Sequence, residues 1–433
     1  MTEEIKNVMT TVSNNQSSTG DNKRRVVVTG IGAITTIGSG ADGLWAGVKC
    51  ARSAVGPITR FDASELSCRI AGEIHDFDPS IYLDGKPLKR LDRCSQFAVA
   101  AGKQAVEDSG LDLASIEPHK IGVCIGSALG GAAYAEEQHT IYVSQGMRGI
   151  SPQLAFQMFV GASSCNVSIL LGLTGFNSSN ADSCASGTIA IGNSWNIIKR
   201  GDADVMLCGA SDAPLAPLCF GAFALIRAMS TRNDDPAHAC SPFDKNRDGF
   251  VMAEGAAILM LEEREHAIQR GAHIYCEITG YATYNDAHHM TAPRPDGTSA
   301  ARCVSEAVKK AGILPEQIDY INAHGSSTTL NDSTETIALK LALGEEAVRK
   351  IPISSTKAMH AHALGASGAI EAAICCLAME NSWIPPTISL QTPDPECDLD
   401  FVPNVGRSKT LNTVVSNSFG FGGINAALVF QKP

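Results

Sequence analysis

The sequence contains no C-x-x-C pair, no G-x-S-x-G elbow and no G-x-x-x-x-G-K-[ST] loop. These absences argue against zinc ribbons and redox dithiols, against the commonest serine hydrolases and against P-loop nucleotide hydrolases. No uninterrupted apolar run reaches the ~18 residues that a membrane-spanning helix needs. The sequence therefore predicts a protein that does not span a membrane and whose chemistry comes from other motifs.

Positive charge is in deficit, because 34 Lys and Arg stand against 45 Asp and Glu, for a net charge of −11. Such a surface does not attract nucleic acid or anionic lipid as a whole, so an acidic partner must bind at a local basic patch. The 14 cysteines are scattered through apolar segments, which favours buried free thiols in a reducing, cytoplasmic compartment.

Residues 1–23 differ in composition from the rest of the chain. They are polar and carry Glu3 and Glu4 without an apolar core, so they fit neither a secretory signal nor an Arg-rich transit peptide. We expect them to form a disordered arm. The chain as a whole is 44% hydrophobic and 18% charged, which is typical of a compact globular protein.

Short β-branched runs alternate with helical periodicity from Arg24 to Pro433, which predicts an α/β fold. The strand candidates are 26–29, 121–125, 204–208, 320–323, 352–354, 414–416 and 427–430, and helical periodicity is clearest at 301–311, 335–343 and 366–379. Both halves carry strand, Gly-rich turn and helix units, with the richest turns at the carboxyl ends of strands, where open α/β sheets bind ligands. We expect two related halves, residues 24–274 and 275–433, that meet at one site.

The first Gly-rich turn does not predict a cofactor. Gly30-Ile31-Gly32 follows a strand candidate, but Thr35 stands where a dinucleotide-binding turn has its third glycine. No suitably placed acidic residue is available for the ribose, so we expect no nucleotide cofactor.

Residues 180–187 (NADSCASG) precede a helix of small residues that is expected to end at Gly201. Asp182 or Ser183 can cap this helix, which leaves Cys184 in its first turn. A thiol there lies in the positive end of the helix dipole, which favours the thiolate and makes a good nucleophile. The alternative is a small buried cysteine, an interpretation that the other thirteen cysteines share.

Two segments after strand candidates supply histidines. His324 lies in the Gly-rich turn of 322–328 (NAHGSST), and 354–362 (SSTKAMHAH) supplies a lysine followed by His360 and His362. A surface position for His360 and a metal pair of His360 with His362 are the alternatives, but no acidic ligand or cysteine pair lies nearby in sequence. A cysteine with two histidines from different strand ends is a catalytic constellation.

Residues 417–425 (NSFGFGGIN) form a turn so rich in glycine that backbone N–H groups can approach a ligand. A plain chain reversal between two strands is the alternative. Backbone amides in such a turn can stabilise the charge that develops on an oxyanion.

Together these segments resemble the β-ketoacyl-acyl-carrier-protein synthase family, and most closely its elongating synthase II type. The resemblance runs from Arg24 to the C-terminus and includes 25–30, 126–131, 230–233 and 243–250. It implies a thiolase-like fold with a layered α-β-α-β-α core. It also implies decarboxylative Claisen condensation of an acyl thioester with malonyl-acyl carrier protein in fatty acid elongation, without metal or redox cofactor.

The resemblance assigns roles at the reaction centre. It implies that Cys184 accepts the acyl group, that His324 and His362 act at the malonyl thioester, and that Phe421 is the gating phenylalanine. The amides of Cys184 and Phe421 would form the oxyanion hole. The supporting charged positions are Lys357 and Glu371.

The resemblance also assigns binding positions. The substrate-binding positions are Leu129, Phe223, Thr291, Ser326, Thr328 and Phe419. The acidic carrier would dock on Lys86, Lys89, Arg90 and Arg227, with Arg93 a further candidate. For these basic residues an ordinary solvated helix face is the alternative.

Some residues depart from the family pattern, among them Ser183, Phe156, Ile424 and the pair His360-Ala361. Ser183, Ile424 and His360-Ala361 bear on rate and substrate choice. Phe156 lies in a segment that in the family meets the acyl pocket across a dimer interface, so its departure points to an unusual acyl chain. We therefore expect a homodimer or a ketosynthase heterodimer.

Three alternative functions stay open beside fatty acid elongation. They are a ketosynthase of a type II polyketide or polyene pathway, a non-condensing chain-length subunit, which would lack the nucleophile, and, more weakly, a cysteine hydrolase.

Overall fold

The computed structural model describes residues 24–433. The predicted N-terminal arm, residues 1–23, lies outside the described residues. Within residues 24–433 no helix is both long enough and apolar enough to cross a lipid bilayer.

Strands and helices alternate along the described chain. The strands are β1 (Val26–Thr35), β2 (Gly38–Ser39), β3 (Val55–Pro57), β4 (Ile70–Gly72), β5 (Ile121–Gly126), β6 (Asn177–Ser178), β7 (Val205–Asp212), β8 (Gly255–Glu263), β9 (Cys276–Asn285), β10 (Tyr320–Asn322), β11 (Ile353–Ser354), β12 (Trp383–Ile384), β13 (Arg407–Ser408), β14 (Thr413–Gly420) and β15 (Ile424–Gln431). The helices are α1 (Gly40–Cys50), α2 (Gly85–Arg90), α3 (Arg93–Ser109), α4 (Ala132–Gln145), α5 (Leu154–Gln157), α6 (Ala162–Leu171), α7 (Ser186–Arg200), α8 (Pro217–Leu225), α9 (Arg264–Gln269), α10 (Thr298–Lys310), α11 (Thr329–Leu343), α12 (Glu345–Val348), α13 (Lys357–His360) and α14 (Ser367–Asn381).

Two five-strand arrays with the same pattern form the β structure. In the first, β6, β5 and β7 are parallel, while β8 and β1 follow antiparallel. In the second, β11, β10 and β14 are parallel, while β15 and β9 follow antiparallel. The arrays join where Val26–Val28 of β1 pairs with Cys276–Ile278 of β9. This repetition confirms two related α/β halves.

The helices lie in three layers around these arrays. Helices α7 and α14 contact each other and strands of both halves. Helices α3 and α6 cover the other face of the first array, α10 covers the other face of the second, and α11 packs against α10 and the same hydrophobic cluster. Helix α14 is buried on almost every side from Ser367 to Met379, as expected of an apolar helix in a central layer. The predicted α-β-α-β-α core is confirmed.

The two central helices meet closely at their N-termini. A Cβ added to Gly187 of α7 would lie 2.6 Å from the backbone nitrogen of Ala369 in α14, so only glycine permits this approach. The contact brings the residues that precede α7 and α14 together. Those residues include Cys184 and His362.

The ends of the parallel strands carry the other residues singled out from the sequence. His324 follows β10 by two residues, Lys357 follows β11 by three, and Phe421 follows β14 directly. Because these strands are neighbours in one array, their carboxyl ends place the three residues at one edge.

All seven predicted strands and the three clearest predicted helices are formed. The sequence analysis did not identify β8 and β9, which lie on either side of β1. The predicted division after residue 274 falls between α9 and β9 and stays a prediction.

Candidate active site

A cavity of about 350 Å³ opens between the two halves. Its wall includes side chains from the nucleophile turn, from the strand ends of the second half and from the Gly-rich turn. Among these are Cys184, His324, His362, Phe419 and Phe421. The structure thus brings the cysteine of the first half and two histidines of the second half to one space.

The local structure around Cys184 differs from the predicted cap. Cys184 lies in a short 3₁₀ turn, Ser183–Ala185, that runs directly into α7, and neither Asp182 nor Ser183 accepts a capping hydrogen bond. Instead the Ser186 hydroxyl accepts from the Asp182 amide at 2.9 Å and donates to the Ser183 carbonyl at 2.8 Å. Ser183 has φ +49°, so the turn uses a left-handed residue immediately before the cysteine.

The Cys184 thiol is buried, and burial raises its pKa to about 11. The positive charge of Lys357 and the amides of Phe421 and Cys184 oppose this shift without cancelling it. The amides at the helix end do lower the pKa of the thiol, but desolvation outweighs them, so the predicted thiolate does not form in the free protein at neutral pH. The thiol is protonated at neutral pH.

The Gly-rich turn is both a chain reversal and a source of amide donors. It joins β14 to β15 through Gly422 and Gly423, whose φ values of 81° and 73° suit glycine. A Cβ added to Gly420 would lie 3.2 Å from the Cys184 nitrogen. The Phe421 amide donates toward the Cys184 sulfur, as does the cysteine's own amide.

The position of His324 is fixed by two buried acidic side chains. The amides of His324 and Gly325 donate to the two carboxylate oxygens of Glu335 at 2.9 and 2.8 Å. The Lys357 ammonium donates to Glu371, to the His324 carbonyl at 2.7 Å and toward His324 Nδ1 at 3.3 Å. Because Nδ1 accepts from an ammonium, Nε2 of His324 carries the ring proton.

His362 lies beside His324, with ring centroids 5.4 Å apart and ring planes at 78°. Its Nδ1 pairs with the Ser367 hydroxyl at 2.7 Å. Burial and the charge of Lys357 lower the pKa of both imidazoles well below the ordinary value. Both rings are therefore neutral at physiological pH, the state in which an imidazole N–H can donate without prior protonation.

Lys357 and Glu371 form a fully buried ion pair behind the histidines. Neither side chain lines the cavity, and Lys357 reaches it only through its contact with His324. Burial raises the pKa of Glu371 to about 7, against the lowering effect of Lys357. Lys357 therefore contacts His324 and Glu371 from behind the cavity wall, and its predicted role in the reaction stays a prediction.

His360 is buried, so the interpretation as a surface histidine is wrong. Its Nε2 pairs with the Thr356 hydroxyl at 3.0 Å, and burial lowers its pKa to about 3. His362 instead pairs with Ser367, so the two rings serve different neighbours rather than a shared ion.

Most of the predicted substrate-binding residues line the cavity, namely Phe223, Thr291, Ser326, Thr328 and Phe419. Phe223 stacks on the gating candidate Phe421, with centroids 6.3 Å apart. Leu129 does not line this cavity; it is half-buried and packs against the main core. Any contact of Leu129 with an acyl chain must therefore occur beyond this space.

The basic residues predicted to bind the carrier differ in exposure and in ion pairing. Lys86, Lys89 and Arg90 are exposed on α2, where no residue of the described chain forms an ion pair with them. Arg227 lies at the rim of the cavity. Arg93 is half-buried and its guanidinium binds Glu254 at 2.7 Å, so it is not available to a partner.

The sequence analysis missed several polar residues of the site. Glu335 and Ser367 position the two histidines. Asp286 lines the cavity and accepts from Asn425 at 2.7 Å. Asp212 lies at the end of β7, a strand end that could have drawn attention to it, whereas Glu335 lies inside a helix without a distinguishing signal.

The chemistry of the cavity has two parts. On one side a thiol stands before two backbone amides that can bind an oxyanion. On the other, two neutral imidazoles can donate to a carbonyl oxygen that gains charge. Acyl transfer to sulfur and stabilisation of an enolate fit this arrangement.

The chain belongs to the β-ketoacyl synthase family. The family's N-terminal domain model matches residues 23–267, and its C-terminal domain model matches residues 275–391. The suspected family and the thiolase-like fold are thereby confirmed.

Particular relatives agree with this membership. The 3-oxoacyl-[acyl-carrier-protein] synthase 2 of Synechocystis sp. is 49% identical over 95% of this chain and 98% of its own length. The protein of the same name from Coxiella burnetii is 45% identical over 95% and 99%.

Solved structures give the same fold. A chain of the AntDE:AntF structure, a type II PKS acyl-carrier protein in complex with its ketosynthase bound to the hexaketide, matches with a TM-score of 0.88 at 38% identity. A β-ketoacyl synthase from Burkholderia phymatum matches with a TM-score of 0.87 at 36% identity. Both matches cover 95% of this chain and 100% of the other.

Proposed function

We propose that this protein is a 3-oxoacyl-[acyl-carrier-protein] synthase, which extends carrier-bound acyl chains by decarboxylative Claisen condensation in fatty acid elongation. The observation that carries the proposal is the single cavity wall shared by Cys184, His324 and His362. The relatives that bear this name match almost the whole chain.

In the first step the Cys184 sulfur attacks the acyl thioester. A bond forms between sulfur and the acyl carbon, and the bond from that carbon to the carrier's sulfur breaks. The amides of Cys184 and Phe421 stabilise the tetrahedral oxyanion. The thiol proton leaves with the carrier thiol, so Cys184 becomes acylated and the free carrier departs.

In the second step malonyl-carrier occupies the cavity. Its carboxylate leaves as carbon dioxide, and the electron pair of the broken C–C bond moves into the thioester as an enolate. His324 and His362 donate to the enolate oxygen, which their neutral state permits. The enolate carbon attacks the acyl carbon on Cys184, and the cysteine sulfur leaves as a thiolate and regains a proton from water.

Acyl carriers of graded length test the choice between two pathways. Turnover of saturated C4–C14 acyl-carriers with release of carbon dioxide supports fatty acid elongation. If the protein refuses these primers and accepts unsaturated or oxygenated ones, it is a type II polyketide or polyene ketosynthase. The similarity to the ketosynthase of the AntDE:AntF structure supports this alternative. Absence of any carbon–carbon bond formation contradicts both.

A non-condensing chain-length subunit is the alternative from another class. Such a subunit lacks the nucleophile, whereas Cys184 lines the cavity here. Incubation with cerulenin, followed by peptide mass mapping, should give a Cys184 adduct. An unlabelled Cys184 in a folded protein would support the chain-length reading.

We infer that the carrier docks on the α2 face formed by Lys86, Lys89 and Arg90. The three side chains are exposed, and an acidic carrier needs a local basic surface on a chain with a net charge of −11. The triple charge reversal should raise KM for acyl-carrier about tenfold or more while leaving kcat nearly unchanged. Lys86→Glu alone should raise KM by a smaller factor, and Lys309→Glu, a charge reversal of the same size on the exposed face of α10, is its matched control and should leave KM unchanged.

We also infer that two copies of the chain, or this chain and a related subunit, pair along β6. β6 is the last strand of its array, and large apolar side chains are exposed on the neighbouring elements. These are Tyr142, Val143, Met147, Phe156, Met158, Phe159, Ile169 and Phe176. Sedimentation should show a dimer, and Phe159→Asp should weaken it; a monomeric wild type that is fully active would contradict this inference.

A cytoplasmic location is part of the same proposal. All 14 cysteines are free in the structure. Free thiols are typical of a reducing compartment.

A further inference from the structure

Asp212, the last residue of β7, is a fully buried carboxylate to which the proposed mechanism gives no role. Its Oδ1 accepts from the Ser127 hydroxyl at 2.6 Å and from the Leu129 amide at 3.1 Å. Its Oδ2 accepts from the Ala128 amide at 2.9 Å. The Gly365 amide donates to the same carboxylate.

These donors come from different halves of the molecule. Ser127 and Leu129 lie in the loop after β5, whereas Gly365 lies in the turn between His362 and α14. A Cβ added to Gly365 would lie 2.7 Å from Asp212 Oδ2 and 2.6 Å from the Ala128 nitrogen. The carboxylate therefore occupies the narrow space between the two segments.

Each segment leads to a part of the reaction centre. The turn at Gly365 is followed by Ser367, whose hydroxyl pairs with His362 Nδ1. The loop at Ser127 contacts the nucleophile turn, because the Ser186 hydroxyl donates to the Ser127 carbonyl at 3.3 Å as well as to the Ser183 carbonyl. Asp212 thus connects backbone that adjoins both Cys184 and His362.

We propose that Asp212 is a positioning residue. It holds the turn that follows His362 at a fixed distance from the loop that contains Leu129, and this distance sets the position of acyl-Cys184 relative to the incoming malonyl group. The inference rests on the proposed condensing function. It assigns Asp212 no contact with substrate.

Asp212→Asn tests this role with little change in shape. An amide offers one acceptor oxygen, so its NH₂ group must face at least one backbone N–H, either that of Leu129 or those of Ala128 and Gly365; the Ser127 hydroxyl can rotate and accept. One segment then loses its fixed position. We expect kcat for condensation to fall roughly 10²-fold, since a displacement of about 1 Å costs that much, while KM for acyl-carrier changes less than about twofold.

Two readouts separate positioning from a purely structural role. Rates are expressed per active site titrated through Cys184, and the acyl-length profile is measured for each variant. A structural role would lower Tm and leave kcat per titrated site and the profile unchanged, a result that would overturn the proposal. Glu262→Gln is the matched control, because Glu262 is a fully buried carboxylate of β8 that binds Thr29, His266 and Arg270 outside the cavity.

A second variant keeps the test decisive if Asp212→Asn does not fold. Ser127→Ala leaves the carboxylate in place and removes one donor to it, together with the acceptor of the Gly130 amide in the same loop. We expect a fall in kcat of about three- to tenfold with an altered length profile. Wild-type kinetics in Ser127→Ala would then contradict the proposal. If the wild-type protein forms no 3-oxoacyl product, the proposed function is wrong. If the wild-type protein is active and the variants have the same kinetics as wild type, only the proposed role of Asp212 is wrong.

Discussion

The two sides of the cavity reach their chemistry by different means. On the cysteine side the donors are backbone amides, and the only reacting side chain is Cys184, whose pKa burial raises to about 11. On the histidine side the donors are side chains: Glu335 and the buried Lys357–Glu371 pair hold His324, and the Ser367 hydroxyl holds His362. One side depends on the path of the backbone, and the other depends on a network of side chains.

This difference bears on how the two half-reactions respond to mutation. A backbone oxyanion hole survives most side-chain substitutions, whereas a side-chain network loses function when one member is removed. Acyl transfer should therefore be sensitive to few positions and decarboxylation to several.

Cys184→Ala should abolish acyl transfer completely, because no other side chain of the cavity wall can form the thioester. Decarboxylation of malonyl-carrier should persist, since both imidazoles remain. Intact-mass analysis after incubation with acyl-carrier checks the first point, and carbon dioxide release checks the second. An acylated variant would show that another residue is the nucleophile.

His324→Ala and His362→Ala should each lower the decarboxylation rate roughly 10²- to 10³-fold, as expected when one donor to a developing oxyanion is lost. Formation of acyl-Cys184 should stay within about threefold of the wild-type rate. Quenched-flow measurements of the two half-reactions provide the test. An equal loss in both half-reactions would remove the distinction between the two sides.

The reactivity of Cys184 should rise with pH. Because the pKa of its thiol is about 11, the thiolate fraction should increase tenfold per unit from pH 7 to pH 9. Iodoacetamide labelling, followed by peptide mapping at Cys184, should show about a 100-fold increase over that range. A small-molecule thiol with an ordinary pKa of about 8.5 is the reference. If the labelling rate of Cys184 levels off below pH 9, the pKa of its thiol is lower than burial predicts, and the surrounding groups do activate the thiol.

Glu371→Gln should slow decarboxylation about tenfold and leave acyl transfer nearly unchanged, because Lys357 loses the partner that orients it toward His324. The buried ammonium then lacks a carboxylate, so the free energy of unfolding should fall by about 3 kcal/mol. Urea denaturation measures that loss. Glu345→Gln breaks an exposed ion pair with Arg349 and should change neither quantity.

The sequence predicts the architecture well where local signals are strong. The strands that precede His324 and Lys357 are visible as short apolar segments, around Ile321 and Ile353, that run into turns of Gly and Ser. Strand β8 was missed because its sequence, GAAILMLEE, is composed mostly of good helix formers, and it becomes a strand through burial on both faces. Tertiary packing overrides local preference there.

The sequence predicts the reacting residues of the candidate site but not their surroundings. Motifs identify Cys184 and the two histidines, but they carry no information on how far burial shifts a pKa or on which residues contact one another across the halves. The roles of Asp212 and Glu335 arise from contacts between elements that are far apart in sequence. The cap predicted at Asp182 failed because Ser186 supplies the local hydrogen bonds instead.

A single-turnover experiment follows both half-reactions on one acylated enzyme. The protein is acylated on Cys184, freed of excess acyl-carrier and mixed with malonyl-carrier, and the enzyme, carrier and gas are analysed together. We predict that Cys184 loses its acyl group, that one carbon dioxide is released per acyl group, and that the carrier gains a 3-oxoacyl chain two carbons longer. Release of a free fatty acid, or of carbon dioxide while Cys184 stays acylated, would contradict the claim that the thiol and the two imidazoles serve one condensation.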